Sequence, residues 1–176
     1  TDKIRRFQFP LLSMTTPHSA DFVCDVLVAG TGASGLTAAI TARKAGLDVL
    51  VVEKAPVFGA TTAVSGGTLW IPSSSHARAT GLHDSDDDAR RYVHQLAGEF
   101  FDERKFSAFL KNGPEMVDFL EAETQVKFVV TVRPDYQSDL PGSGMTRSLQ
   151  TEDCHASILG RDFRNLRPML PQTMFL

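Results

Sequence analysis

Six residues constrain this chain more than any others: Gly30-Thr31-Gly32-Ala33-Ser34-Gly35 stands between an apolar β-branched run and a stretch of helix formers. The run, residues 22–29 (FVCDVLVA), is interrupted only by Asp25 and reads as a buried parallel strand. From Ala33 to Ala45 the residues favour helix, with Leu36, Ala39 and Ile40 at helical spacing, and Gly46 supplies the stop. Residues 47–53 (LDVLVVE) read as a second buried strand. The three segments make one βαβ unit of about the 30 residues that such a unit requires. The expected fold class is therefore α/β, with a Rossmann-like domain built on this unit.

The glycine spacing G-x-G-x-x-G gains its meaning from that setting. Gly30 permits the tight turn, Gly32 lets the backbone approach a pyrophosphate, and Gly35 allows close helix–strand packing. The anion rests on the unpaired N–H groups where the helix opens, around Ala33 and Ser34. Glu53, with Lys54 beside it, closes the second strand where a carboxylate can accept hydrogen bonds from ribose hydroxyls. An acid there also repels a 2′-phosphate. These residues specify a dinucleotide site and leave FAD and NAD both open, since both cofactors use the fingerprint.

Beyond Lys54 lies a glycine-rich stretch, APVFGATTAVSGGTLWIPSSS, too small in its residues for ordinary core and too apolar for a solvated linker. Asp84 or Ser85 then caps a helix running to about Ala97, with Asp86, Asp87 and Asp88 favouring its dipole. Asp102 caps another, to about Asn112. The Gly113-Pro114 pair is expected to break it, with a third short helix over residues 115–122. Residues 126–132 (VKFVVTV) read as a strand, and from Arg133 onward turn residues leave little regular structure.

The stretch E-K-A-P-V-F-G-A-T-T-A-V-S-G-G resembles flavoproteins of the fumarate reductase and 3-ketosteroid Δ1-dehydrogenase superfamily. That resemblance implies FAD as the cofactor. It assigns Thr61, Thr62, Ser65, Gly66 and Gly67 to the segment passing under the flavin, where only small residues let the backbone lie against a flat ring. Where the family usually has paired glycines, this chain has Gly59-Ala60. W-I-P, G-P-E-M-V-D-F-L-E, P-D-Y and T-R-S-L extend the resemblance over nearly all of residues 22–170, towards the ketosteroid branch. The implied reaction removes a proton beside a carbonyl and passes hydride from the adjacent carbon to the flavin. Tyr136, in P-D-Y, matches the tyrosine that lines the substrate pocket and assists a proton-abstracting tyrosine from a later segment. Two departures concern the substrate: Arg133 stands where an aromatic residue is usual, and Gln137 where a second tyrosine often follows. A cation against an apolar ring is unfavourable unless it reaches solvent or an acid.

The resemblance implies the N-terminal part of a larger, incomplete FAD domain, because such enzymes need several hundred residues. Residues 1–20 are expected to be a disordered or non-native lead-in and 21–176 to belong to the FAD domain. The helices after about residue 84 either lie over that domain or begin the substrate region. Two other readings stay open: a fumarate reductase-like reductase, and a truncated, non-catalytic nucleotide-binding remnant. The expected partners are a small-molecule substrate, a 3-keto steroid or similar cyclic ketone, and an electron acceptor of unknown identity.

Composition excludes other classes. A net charge of -3 with no basic block argues against nucleic acid, and no apolar run approaches the roughly 20 residues of a membrane helix. Cys24 and Cys154 form no CxxC pair, so no metal site and a cytoplasmic, reducing setting are expected, with Cys24 a small buried hydrophobe in the first strand. His76, His83, His94 and His155 read as solvated, as do Arg90 and Arg91. Asp84 to Asp88 read as a capped helix start rather than a calcium loop.

Overall fold

A computed structural model describes residues 22–170, so the expectation for residues 1–20 lies outside the described residues. Strand β1 (Val26–Ala29), helix α1 (Ala33–Lys44) and strand β2 (Val49–Val52) form the expected parallel unit, in register from Val26 opposite Val49 to Ala29 opposite Val52. Both strands are shorter than their apolar runs. Cys24 consequently precedes β1 and is half-buried rather than packed inside it. Helix α1 ends as its sequence directs: Gly46 takes φ +83, its N–H reaches Arg43 O, and Leu47 N–H reaches Ala42 O.

Burial departs from expectation. Helix α1 covers one face of the pair, burying Val28 and Ala39, while Leu27 is 62% and Val52 43% exposed on strands whose composition calls for cover on both faces.

A second sheet holds the core. Strands β3 (Leu69–Trp70), β4 (Phe128–Thr131) and β5 (Ser148–Thr151) pair antiparallel in the order β3-β5-β4. The central strand β5 lies in the region expected to lack regular structure. It supplies only one buried apolar residue, Leu149, placed between Leu69 and Val130, so no run of alternating residues announces it. Ile71, Val117, Phe128 and Leu149 make the core, with Leu69, Met116, Leu120 and Val130 packed against it.

Three further helices surround this sheet: α2 (Ser75–Ala79), α3 (Asp86–Ala97) and α4 (Glu103–Glu123). Ser85, not Asp84, caps α3: its hydroxyl accepts from Asp88 N–H and donates to the Asp88 carboxylate. Asp102 caps α4 by accepting from Lys105 N–H. The expected break at Gly113-Pro114 does not occur, and α4 runs unbroken through Pro114. Packing holds it: Leu110, Gly113 and Val117 form a buried stripe, and a Cβ on Gly113 would lie 3.4 Å from Ile71 Cγ2. Among the described residues no helix is long and apolar enough to cross a membrane.

Candidate functional site

The glycine turn between β1 and α1 has the geometry that its spacing predicts. Gly30 takes φ +101 and donates its N–H to Val52 O at 2.7 Å, tying the turn to β2. A Cβ on Gly35 would lie 2.2 Å from Gly30 O, so no larger residue fits between helix and strand there. Gly32 differs: a Cβ there would meet only Ala60 Cβ at 3.4 Å and Thr62 Oγ1 at 3.7 Å, which is ordinary contact. Gly32 also opens α1 without a side-chain cap, which leaves the positive end of the helix to other acceptors. The Ala33 N–H already has one, Thr62 Oγ1 at 3.0 Å.

Glu53 is locked in place. Its Oε2 accepts from Thr31 N–H at 3.0 Å and from the Thr31 hydroxyl, and its Oε1 accepts from Ala55 N–H at 3.0 Å. These donors, the Ala55 amide first, hold the carboxyl at about 2, well below its ordinary 4.5. A carboxylate offers about four lone-pair sites, so Oε1 keeps one for an incoming hydroxyl. Thr31 does more than fill the gap between two glycines. Its hydroxyl donates to Glu53 and accepts from Gly59 N–H at 2.8 Å, joining the turn, the end of β2 and the glycine-rich stretch. Sequence reasoning missed this residue, and its only signal was a hydroxyl within a motif read for its glycines.

The expected cofactor residues therefore fall into three placements. Gly30, Gly32, Ala33, Ser34, Gly35 and Glu53 surround the turn. Thr61 and Thr62 follow Ala60, itself at φ +48 where the family usually has glycine, and are exposed with Thr62 over the helix start. Ser65, Gly66 and Gly67 lie further along, where a Cβ on Gly67 would stand 3.1 Å from Thr151 Oγ1 on β5. Lys54 is exposed and turns its backbone N–H, not its ammonium, towards Glu53.

The same stretch leads through Thr68 and Leu69 into a cavity of about 700 Å³. Its walls include Leu69, Trp70, Tyr92, Val93 and Leu96, with Arg133, Asp135 and Tyr136 at the P-D-Y loop. Beneath it lies a buried charge cluster. Arg147, 1% exposed, donates through Nε to Asp84 Oδ1 at 2.8 Å and through Nη1 to Asp135 Oδ2 at 2.9 Å. The surplus negative charge is met by N–H donors: Ser73 N to Asp84, Gly144 N and Trp70 Nε1 to Asp135. The guanidinium lies 5.6 Å from the Trp70 ring centre and 6.0 Å from that of Tyr92. Gly144 is required by sterics, since a Cβ would come within 2.6 Å of Arg147 Nε.

W-I-P, P-D-Y and T-R-S-L are thus one network seen at three places in the sequence, through Trp70, Asp135 and Arg147. Sequence reasoning took Asp84 for a cap and gave Arg147 no role. The network pins the backbone of the P-D-Y loop, as do Asp135 N–H to Gly144 O and Gln137 N–H to the Tyr92 hydroxyl. The Tyr136 side chain stays fully exposed at the cavity rim.

The polar residues expected to be solvated are partly engaged. His76 is half-buried against Glu121 at 3.0 Å, and Arg90 bridges Glu103 and Asp87. His83 is exposed but pairs with Asp88, whose carboxyl sits below its ordinary range because Ser85 and then His83 hydrogen-bond it.

Residues 25–169 match the protein family described as "FAD binding domain". The chain is 40% identical over 146 residues to a 3-oxosteroid 1-dehydrogenase of Mycolicibacterium smegmatis, covering 82% of this chain and 26% of that protein. It is 45% identical over 129 residues to a 4-oxocyclohexanecarboxylate 2-dehydrogenase of Sinomonas cyclohexanicum, covering 73% of this chain and 22% of that protein. Among solved structures, it superimposes with a TM-score of 0.79 and 36% identity on 3-ketosteroid Δ1-dehydrogenase from Sterolibacterium denitrificans in complex with 1,4-androstadiene-3,17-dione. That match covers 85% of this chain and 27% of the other. The chain spans about a quarter of the length of the curated relatives it matches.

Proposed function

The chain belongs to the FAD binding domain family, and from that premise we propose that it carries the Rossmann-like nucleotide cradle and one wall of the substrate pocket of a flavin-dependent dehydrogenase. The reaction is introduction of a double bond beside the carbonyl of a cyclic ketone, a 3-keto steroid or a smaller ring. The observation that carries the reading is the glycine turn: Gly35 closed against Gly30 O, Gly32 open towards the uncapped start of α1, and Glu53 fixed with one acceptor site spare. FAD bound there would supply the hydride acceptor.

The chain's own residues then divide the work. Gly30, Gly32, Gly35 and the first amides of α1, at Ala33 and Ser34, receive the pyrophosphate, and Glu53, with Lys54 adjoining, receives the ribose. Thr61, Thr62, Ser65, Gly66 and Gly67 present small side chains and backbone to the ring system. Thr62 is released from the Ala33 N–H, or shares it, as the anion enters. Leu69, Trp70, Val93 and Leu96 give the ketone an apolar wall and exclude water. Tyr136 stands on a pinned loop with its hydroxyl free to reach a substrate, which suits a group that assists removal of the proton beside the carbonyl.

The test uses the intact protein that carries this segment, with ring ketones and an artificial electron acceptor. Tyr136→Phe should slow turnover by about 10²-fold, the lower end for a positioned proton-transfer group, and leave the flavin spectrum intact. Unchanged turnover would return Tyr136 to the structural loop residues, and no dehydrogenation of any ring ketone by the unmodified protein would sink the reading.

A further inference from the structure

Two charged side chains line the 700 Å³ cavity, Arg133 and Asp135, and only one of them has its charge answered. Asp135 is fully engaged: Oδ1 accepts from Trp70 Nε1 at 2.7 Å, and Oδ2 accepts from Arg147 Nη1 and Gly144 N–H, each at 2.9 Å. Arg133 is held through its backbone, N–H to Met145 O at 2.9 Å, and its guanidinium meets no acid or other acceptor among the described residues. The backbone of the loop that carries it is pinned by Asp135 N–H to Gly144 O and Gln137 N–H to the Tyr92 hydroxyl, so the side chain starts from a fixed point on the wall. Arg133 is solvated in the open cavity, but once a bound ring displaces that water, a guanidinium without an acid beside Leu69, Trp70, Val93 and Leu96 is a poor neighbour for an uncharged ring system. It is a good one for a ring that brings its own anion, because a guanidinium fork matches a carboxylate with two parallel N–H···O bonds.

Resting on the reading of this cavity as a ring-ketone site, we propose that the substrate is a cyclic ketone bearing a carboxylate, and that Arg133 is the residue that selects it. The carboxylate anchors at Arg133 while the ring lies along the apolar wall. Arg133 binds and orients, and takes no part in breaking C–H bonds. A single-ring keto acid and a polycyclic ketone with a side-chain carboxylate present the same group and are distinguished by experiment.

The intact protein is assayed with 4-oxocyclohexanecarboxylate and its methyl ester, and with a 3-keto steroid carrying a side-chain carboxylate and its methyl ester. On one of the two scaffolds kcat/KM should favour acid over ester by about 10- to 100-fold, the worth of a charge-assisted pair. That scaffold identifies the substrate. Arg133→Gln should bring the acid-to-ester ratio to about one, and Arg133→Glu should take it below one. Arg133 is exposed, so neither variant disturbs the core, and the flavin spectrum of each verifies folding. Equal rates for acid and ester on both scaffolds, or a preference that survives Arg133→Gln, would overturn this assignment and leave the ring-ketone reading standing. Failure to oxidise all four compounds would overturn the ring-ketone reading itself, and the role of Arg133 with it.

Discussion

At the scale of single residues, two glycines of one motif answer to different constraints, and substitution separates them. Gly35 is required by the protein: its Cβ would strike the Gly30 carbonyl at 2.2 Å whether or not anything is bound. Gly32 meets no such demand from the protein, since its Cβ would meet nothing closer than 3.4 Å in the chain itself, and under the proposed reading the ligand is what requires it. Gly35→Ala should therefore cost about 3 kcal/mol of stability, the upper end for overpacking. Gly32→Ala should leave the melting temperature of the flavin-free protein near that of the parent and abolish retention of FAD. Thermal denaturation and the visible flavin spectrum read the two effects independently. If Gly32→Ala binds FAD as the parent does, the pyrophosphate does not pass over Gly32. Gly30 and Gly35 were legible because a positive φ and a close helix–strand approach are steric demands that spacing reveals. Thr31 and Arg147 were not, because a hydrogen bond across 22 residues to Glu53, or an ion pair across 63 to Asp84, leaves no local pattern.

At the scale of elements, legibility followed how much of an element's stability is local. Helix α1 has strong formers, a glycine opening and a glycine stop, and its expected end missed the observed one by a single residue. Strand β5 is the opposite case, since Ser148–Thr151 becomes a strand only because β3 and β4 flank it. Helix α4 shows tertiary packing overriding a local breaker. Pro114 removes the hydrogen bond that would otherwise reach the Leu110 carbonyl, yet the buried stripe of Leu110, Gly113 and Val117 keeps the axis continuous. The cost is still present in the folded state. Pro114→Ala should restore the bond and stabilise the protein by about 2 kcal/mol, the helix-interior penalty of proline less the freedom that alanine returns to the unfolded chain. Urea unfolding measures it. A loss of stability would mean that the proline ring itself fills space in the core that a methyl group leaves empty.

At the scale of the whole molecule, the chain divides its stability unevenly between its two sheets. The antiparallel sheet has Leu149 fully buried, is covered by α4 through the equally buried Val117, and lies beside the Arg147 cluster, whose removal would strand two buried carboxylates at about 3–5 kcal/mol. The parallel pair β1–β2 has helix α1 on one face only and leaves Leu27 and Val52 open on strands built of apolar residues. Yet this weaker sheet carries the glycine turn and Glu53, the residues with the clearest claim on a cofactor. Local opening should therefore begin at the glycine turn and spare the cavity wall. In hydrogen exchange of this chain without cofactor, amides of Val26–Ala29 and Val49–Val52 should exchange well before those of Phe128–Thr131, Ser148–Thr151 and the buried face of α4. A ligand that binds only the folded cradle stabilises it by about 2.7 kcal/mol at a hundred times its dissociation constant, so saturating FAD should slow β1 and β2 by about 100-fold. The antiparallel sheet, already limited by its own core, should change less. Equal protection in both sheets without cofactor would mean that they open as one unit, and that the open face of β1 and β2 carries no penalty.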